Sequence, residues 1–369
     1  MTGRPGPFWD HVFEDTPRRL YIPAVVWGVD DELINRDTDP DAWAAAVEAD
    51  VPLVIQMDDG TDSGDMIPTS SASMPSLVRL MLEQLDVRPN HHVLELGTGT
   101  GWSSALLSAA LTEGSMITIE IDEQVAGAAH KVLRERCRTV PTMVVGDGLE
   151  GHEPGAPYDR LIATMAVRHV PYAWVEQVKP GGVIVTPWGN SYNVSGLLRL
   201  CVDGSGTASG RFVGNVNFMW ARSQRSAFDG RPFVGDVIPD PETARVRHTL
   251  TDPRPLRREH ADFAIGLRLP DVEQRTFFGR ADRADEFTVW YSDGKSWAAI
   301  DYKPGADSFE VSEHGPRDLW AEIEAAYEAW LGQGEPTREQ HGVTVTRDGR
   351  STWLEGPNGR VEIGPASIT

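Results

Sequence analysis

Cysteine is nearly missing from this 369-residue chain. Cys137 and Cys201 lie far apart and fit neither a metal-ligand spacing nor a disulfide framework. Both are expected as buried free thiols in a reducing compartment, which points to a cytoplasmic protein. Long apolar runs are absent too. No stretch approaches the roughly 18–20 consecutive apolar residues that cross a bilayer, so no membrane partner is expected. The first twenty residues carry Pro5, Pro7, Asp10, Glu14 and Arg18 instead of an apolar signal core, and no secretory signal is expected. Positive charge is in deficit: 34 Lys and Arg stand against 55 Asp and Glu, a net charge of −21. That balance argues against nucleic acid, whose phosphates would be repelled, and suits a basic peptide. The deficit is uneven. Between Asp30 and Asp65 there are 12 acidic residues and one basic residue, Arg36. Such a block is either a solvated surface or a docking surface.

What is present begins with a proline-punctuated extended segment, Thr16-Pro17-Arg18-Arg19-Leu20-Tyr21-Ile22-Pro23. Residues 41–50 read as a short helix, 51–57 as a strand and 58–73 as a loop. The apolar spacing of 74–86 predicts an amphipathic helix with Ser73 as N-cap and Pro75 in the first turn. Strands and helices then alternate: strands at 92–96, 116–121, 141–145, 158–164 and 182–187, helices at 102–112, 123–137 and 172–178. This alternation predicts a parallel sheet covered on both faces. After about Asn190 short alternating segments follow, among them 196–202, 210–220, 263–269, 287–291 and 297–302. Residues 223–259 read as a linker or surface excursion, 316–333 as a helix, and 342–354 as a hairpin around Asp348-Gly349.

The chemistry-bearing stretch is Val93-Leu94-Glu95-Leu96-Gly97-Thr98-Gly99-Thr100-Gly101. It ends a strand and opens a helix. Its glycines allow a sharp turn and close approach of a ligand to the main chain. The spacing is G-x-G-x-G, not the G-x-G-x-x-G suited to a pyrophosphate. Glu120 lies at the end of the next strand, where a carboxylate can accept both hydroxyls of a ribose. Asp147-Gly148 follows the third strand, where an adenine would be flanked. Glu95, Gly97, Thr98, Gly99, Gly101, Glu120, Asp147 and Gly148 are therefore the expected ligand-binding set. It fits a cofactor with ribose, adenine and an amino acid but no phosphate. Metal ligands are not expected.

From about 67 to 190 the chain resembles the protein-L-isoaspartate O-methyltransferases. The likeness rests on VLELGTGTGWSSALL, ITIEID, GDG, YDRLIATMAVRHVPYAWVEQVKPGGVIVTPWG and the upstream TPRRLYIP. The resemblance implies a class I, Rossmann-like S-adenosylmethionine-dependent methyltransferase sheet that methylates a side-chain carboxylate. Thr69-Ser70-Ser71-Ala72 resembles the family's Thr-Ile-Ser-Ala signature. That likeness implies an acceptor site at Ser71, with Ser70 and Thr69 beside it. The signature normally continues Pro-His-Met, whereas here Ser73-Met74-Pro75 follows.

The family enzyme is expected to be shorter, without residues 210–369. An altered acceptor site with an added module resembles the homologues that tailor ribosomally made precursor peptides, methylating an aspartate whose ester closes to aspartimide. The expected organisation is an N-terminal acidic segment at 1–66, a cofactor-binding domain at 67–209 and an α+β accessory module at 210–369. Broad isoaspartate repair and a non-catalytic cofactor-binding regulator are the competing readings.

Overall fold

The computed structural model describes residues 6–192, 194–225, 244–280, 283–356 and 359–363. They form two compact bodies. The first comprises residues 1–187, 197–224 and 345–349, the second 188–196, 225–344 and 350–369. The division thus differs from the expected boundaries. The acidic N-terminal segment belongs to the first body rather than standing alone, and residues 210–224 join it as well.

The first body carries the expected Rossmann-like sheet. Its strands are β5 (His92–Leu96), β6 (Ser115–Glu120), β7 (Thr142–Val145), β8 (Tyr158–Ala163), β9 (Val178–Gly189), β10 (Ser195–Val202) and β11 (Ala208–Phe212). They run in the order β11-β10-β9-β8-β5-β6-β7. β7, β6, β5, β8 and β9 are parallel neighbours, and β10 and β11 are an antiparallel pair. Helices α4 (Trp102–Ala110), α5 (Glu123–Arg136) and α6 (Tyr172–Gln177) follow β5, β6 and β8. Val93, Leu94 and Leu96 of β5 are fully buried, as a central strand covered on both faces requires.

Upstream lies a second, small sheet in the order β2-β1-β3-β4, made of β1 (Val25–Trp27), β2 (Leu33–Asn35), β3 (Leu53–Met57) and β4 (Pro68–Ala72). β4 corrects the expectation of a loop over 58–73. It pairs antiparallel with β3, matching Val54 to Ser71 and Gln56 to Ser70. Its polar sequence hides a strand because partner backbone, not a buried apolar face, holds it. Two helices precede β3 and β4 in the chain, α1 (Gly6–Asp15) and α2 (Pro40–Glu48). In place of a fully extended run, Arg18–Leu20 form a 3₁₀ turn.

Helix α3 (Pro75–Leu85) also corrects the reading of its start. Met74 is the N-cap residue and offers no side-chain cap. Asp50 supplies the cap from a distance, accepting the Ser76 N–H at 2.8 Å. The Ser73 carbonyl instead accepts from Arg18. That guanidinium is buried and donates to five backbone carbonyls, those of Val47, Ala49, Val51, Ala72 and Ser73. Burial lowers its pKa to about 10, and the nearby Asp50 and Glu48 carboxylates oppose that shift.

The second body holds a five-stranded antiparallel sheet, β12-β16-β15-β14-β13. These strands are β12 (Arg245–Thr249), β13 (Glu273–Phe278), β14 (Phe287–Ser292), β15 (Trp297–Tyr302) and β16 (Phe309–His314). Short helix α7 (Pro253–Leu256) precedes α8 (Glu259–Arg268), and α9 (Leu319–Gly332) follows β16. Residues 263–269, expected to alternate as a strand, lie largely in α8. Phe263, Ala264, Ile265 and Leu267 are all buried, and a helix buried all round shows no clean amphipathic period. Of the expected linker, residues 226–243 lie outside the described residues, whereas 245–268 form β12, α7 and α8. The expected hairpin is present as β17 (His341–Thr346) and β18 (Gly349–Gly356), with β19 (Gly359–Ile363) beside β18. Trp297 and Trp320 are buried in this body.

Asp262 of α8 is buried among Tyr192, Tyr291, Arg257 and Arg338, and burial raises its carboxyl to about 7 from 3.8 despite the two arginines. A raised carboxyl makes the fold most stable below the unfolded value and weakens it as pH rises through the folded value. Stability of this body is therefore expected to fall between about pH 4 and 7. Asp262→Asn should flatten that slope in thermal unfolding, with the variant the more stable of the two at pH 8. An unaltered slope would assign it to another group.

Candidate active site

The glycine loop is shaped by a buried acid. Glu95 sits near the end of β5 with no exposure to solvent. Its carboxylate accepts from Ser103 Oγ at 2.6 Å, from Thr118 Oγ1 at 2.7 Å and from Ser104 Oγ. Strand β5, strand β6 and the first turn of α4 are thereby joined at one point. Burial raises its pKa, and the three hydroxyls oppose the rise. Both oxygens face protein donors, so the structure places Glu95 behind the loop as its anchor.

The loop then turns back on the sheet. The N–H groups of Gly97 and Thr98 donate to the Ile119 carbonyl at 2.8 and 3.2 Å. Gly97 has φ +90°, and a Cβ there would stand 2.5 Å from Thr164 Oγ1, so only glycine fits. Gly99 has φ +56°, and the position of its missing Cβ is 3.6 Å from the Ser71 carbonyl oxygen. β4 and the loop are thus in contact range at this point. Gly101 is the left-handed N-cap residue of α4.

Glu120 ends β6 as expected and is mostly buried. One oxygen accepts the Gly99 N–H at 2.9 Å and the other the Asp122 N–H at 3.2 Å. Each oxygen keeps a lone pair, enough to accept a pair of vicinal hydroxyls. Asp147 accepts the Leu149 N–H at 2.9 Å and the Ser223 hydroxyl at 3.3 Å. Gly148 packs under Leu96 and Met165, and its carbonyl accepts from Trp174 Nε1. All these positions lie at carboxyl ends of parallel strands, the ligand-binding edge of such sheets.

A small cavity of about 50 Å³ is bordered by Ser71, Gly97, Thr98, Gly99, Ser103 and Thr164. Of the three expected acceptor residues, the structure brings Ser71 to this cavity. Thr69 is engaged elsewhere: its hydroxyl accepts the Asp59 N–H at 3.0 Å and donates to Gln56 Oε1 at 3.1 Å. Ser70 pairs across the small sheet with Gln56 and does not border the cavity.

Sequence reading missed four neighbours. Thr164 follows β8 and clamps the loop through the carbonyls of Leu96 and Gly97. Its signal was available, since it ends a predicted strand at the same sheet edge. Asp122 caps α5 through the Gln124 and Val125 N–H groups, also a readable pattern. Gln56 donates to Asp122 Oδ2 at 2.9 Å. Arg222 contacts Asp59, Asp122 and Gln56 together. Nothing local marks Arg222, because its partners lie 100 or more residues upstream. Burial raises the Asp122 carboxyl, but the Val125 N–H, Arg222 and Gln56 outweigh it and hold the pKa at about 2. Arg168 and His169 form a turn held by Gln224, which accepts both their N–H groups.

Residues 36–225 match the family model described as protein-L-isoaspartate(D-aspartate) O-methyltransferase. A protein-L-isoaspartate O-methyltransferase of Pyrococcus horikoshii is 36% identical over 148 residues, 40% of this chain and 66% of that one. One from Azorhizobium caulinodans is 39% identical over 132 residues, 36% of this chain and 60% of that one. The chain therefore spans about two thirds or less of these relatives' own length. A solved structure of a protein-L-isoaspartate O-methyltransferase covers 93% of this chain and 94% of its own, at a TM-score of 0.51 and 18% identity. That structure is close to this chain in length, whereas the curated relatives, of which 148 and 132 residues make up 66% and 60%, are much shorter, as expected.

Because Glu95 is buried with three hydroxyl donors, Glu95→Gln is expected to keep the fold, whereas Glu95→Ala should lower stability by about 2–4 kcal/mol through the cavity and orphaned hydroxyls. Chemical denaturation of the two variants measures the difference. Equal losses would remove Glu95 as the anchor.

Proposed function

The chain belongs to the protein-L-isoaspartate(D-aspartate) O-methyltransferase family, and from that membership we propose that it transfers a methyl group from S-adenosylmethionine to an aspartyl-type carboxylate of a peptide. The observation that carries this reading is the meeting of Ser71, the Gly97–Gly101 loop and Thr164 around one cavity. The cofactor fits the residues present. The three left-handed glycines of the loop carry no side chain that would fend off a ligand, and Glu120 offers acceptors for ribose hydroxyls. Asp147 and Gly148 would border the adenine. Bound there, S-adenosylmethionine supplies an electrophilic methyl group.

This chain's residues then have positioning work to do. An ionised carboxylate is already nucleophilic, so no general base is needed. Its oxygen must be held in line at about 3–3.5 Å from the methyl carbon. The Ser71 hydroxyl donates to the acceptor carboxylate without trapping it in an ion pair, which would lower its nucleophilicity.

The finer reading is an aspartate of a ribosomally made precursor peptide of basic character, whose ester closes to aspartimide. Two features support it. Ser73-Met74-Pro75 replaces the family's Pro-His-Met beside the acceptor serine. The acidic block also stays largely exposed, with Asp30, Asp31, Asp37, Asp41, Asp62 and Asp65 at the surface. Broad repair of isoaspartate is the second reading, favoured by the family model, whose description names that residue.

Ser71→Ala is expected to lower kcat roughly tenfold or more, as loss of a positioned donor does, with S-adenosylhomocysteine affinity within twofold. Wild-type turnover in the variant would reject the assignment. Mass spectrometry with paired aspartyl and isoaspartyl basic peptides separates the two substrates. Precursor tailoring predicts one added methylene on the aspartyl peptide, then a net loss of one water; methylation confined to the isoaspartyl peptide supports repair. Peptide affinity should fall as salt rises, and indifference to salt would exclude capture by the acidic block.

A further inference from the structure

We propose that Arg222 is a positioning residue that fixes the acceptor strand against the cofactor crevice, an inference that rests on the methyl-transfer reading above. Arg222 arrives on residues 219–224, a segment pinned at successive points along the carboxyl edge of the sheet. Ala166, just past β8, donates its N–H to the Met219 carbonyl and accepts from the Ala221 N–H, at 2.8 and 2.9 Å. Ser223 bonds to Asp147 past β7, and Gln224 holds Arg168 and His169. The guanidinium is therefore delivered by fixed main chain.

Its three contacts join two parts of the site. Nε meets Asp59 Oδ1 at 2.9 Å, in the turn between β3 and β4. Nη2 meets Asp122 Oδ2 at 2.9 Å, two residues beyond Glu120. The same nitrogen donates to Gln56 Oε1 at 3.2 Å. Gln56 also accepts from Thr69 Oγ1, donates to Asp122, and pairs with Ser70. A continuous path therefore runs from Thr69 and Ser70 through Gln56 and Arg222 to Asp122, then through Glu120 to the Gly99 N–H. Arg222 is the cation in that path and stands between two carboxylates.

Without it Asp59 and Asp122 repel each other, and Gln56 loses one of its holding bonds. Fully exposed ion pairs contribute little, because water and salt screen them. This one is different in kind, because the side chains of Arg222 and Asp122 are only 25% and 11% exposed and the fork engages three groups. Its consequence is geometric. β4 carries Ser71, whose carbonyl lies 3.6 Å from the Gly99 Cβ position, so a drift of the strand would shift Ser71 relative to the loop. A displacement of about 1 Å can cost on the order of a hundredfold in rate.

The test compares Arg222→Ala and Arg222→Lys with the wild-type chain. Hydrogen exchange of the ligand-free protein reads the tether directly. Arg222→Ala should speed exchange at Thr69–Ser71 while leaving β5 and β6 protected, which also shows that the variant is folded. With a short isoaspartyl peptide and its aspartyl twin as probes, kcat should fall about tenfold or more, while S-adenosylhomocysteine Kd by calorimetry stays within about threefold. Arg222→Lys should recover part of kcat, since the charge remains and the fork is lost. Unchanged exchange at Thr69–Ser71 overturns the proposal, as does a Kd that rises in step with the loss of kcat. Should the wild-type chain bind no S-adenosylhomocysteine and methylate neither peptide, the methyl-transfer reading fails. The exchange result then decides the tether alone: faster exchange upholds it and unchanged exchange refutes it.

Discussion

The buried carboxylate of Glu95 is the contact on which the site depends. A carboxyl group removed from water is costly unless donors surround it. Here the donors come from separate elements: Ser103 and Ser104 from α4, Thr118 from β6. Satisfying Glu95 therefore fixes a helix, a neighbouring strand and the strand that bears it. The loop between has little freedom left, and it turns so that Gly97 and Thr98 donate to Ile119 while Gly99 reaches Glu120. The ligand-facing main chain is shaped from behind.

Arg18 does for the acceptor side what Glu95 does for the loop. A buried guanidinium with carbonyl acceptors gathers the end of α2, the start of β3 and the end of β4 around one point. The Trp102 indole N–H donates to the Thr16 carbonyl at 2.9 Å, so the same N-terminal turn also touches the start of α4. Acceptor strand and glycine loop are tied through residues that would bind neither substrate nor cofactor. This arrangement also divides the acidic block. Asp39 caps α2, Asp50 caps α3, Asp58 accepts the Met66 and Ile67 N–H groups, and Asp59 meets Arg222. Those carboxylates serve the fold. The exposed remainder is what a basic peptide would meet.

The second body has a different physical character. Its apolar content is ample, with Phe263, Trp320 and Tyr291 fully buried. It also buries Asp262 without a full set of partners, since Oδ1 has no hydrogen-bond partner among the described residues. Such groups weaken a core at neutral pH rather than strengthen it. A long extra region is shared with a solved structure of a protein-L-isoaspartate O-methyltransferase.

Local sequence was enough for whatever repeats or terminates locally. The alternation of apolar strands with helices defined the parallel sheet, and the G-x-G-x-G loop, Glu120 and Asp147 fell at strand ends because strand ends are readable from periodicity. The hairpin around Asp348-Gly349 was legible for the same reason. The resemblance carried Ser71. Local sequence did not reveal β4, because a polar strand held by its partner's backbone has no apolar alternation. It missed the identity of α8, because a helix buried on every side has no stripe. It misassigned the cap of α3, because the capping Asp50 lies 26 residues before the N–H it accepts. Above all it was silent on Arg222 and Gln56. Their role comes from partners brought together by the fold, and long-range charge pairing has no period and no spacing. Sequence located the glycine loop, because strand ends are readable from periodicity; tertiary packing alone brought Ser71 to its border and set Arg222 between Asp59 and Asp122, because those contacts join residues far apart in the chain.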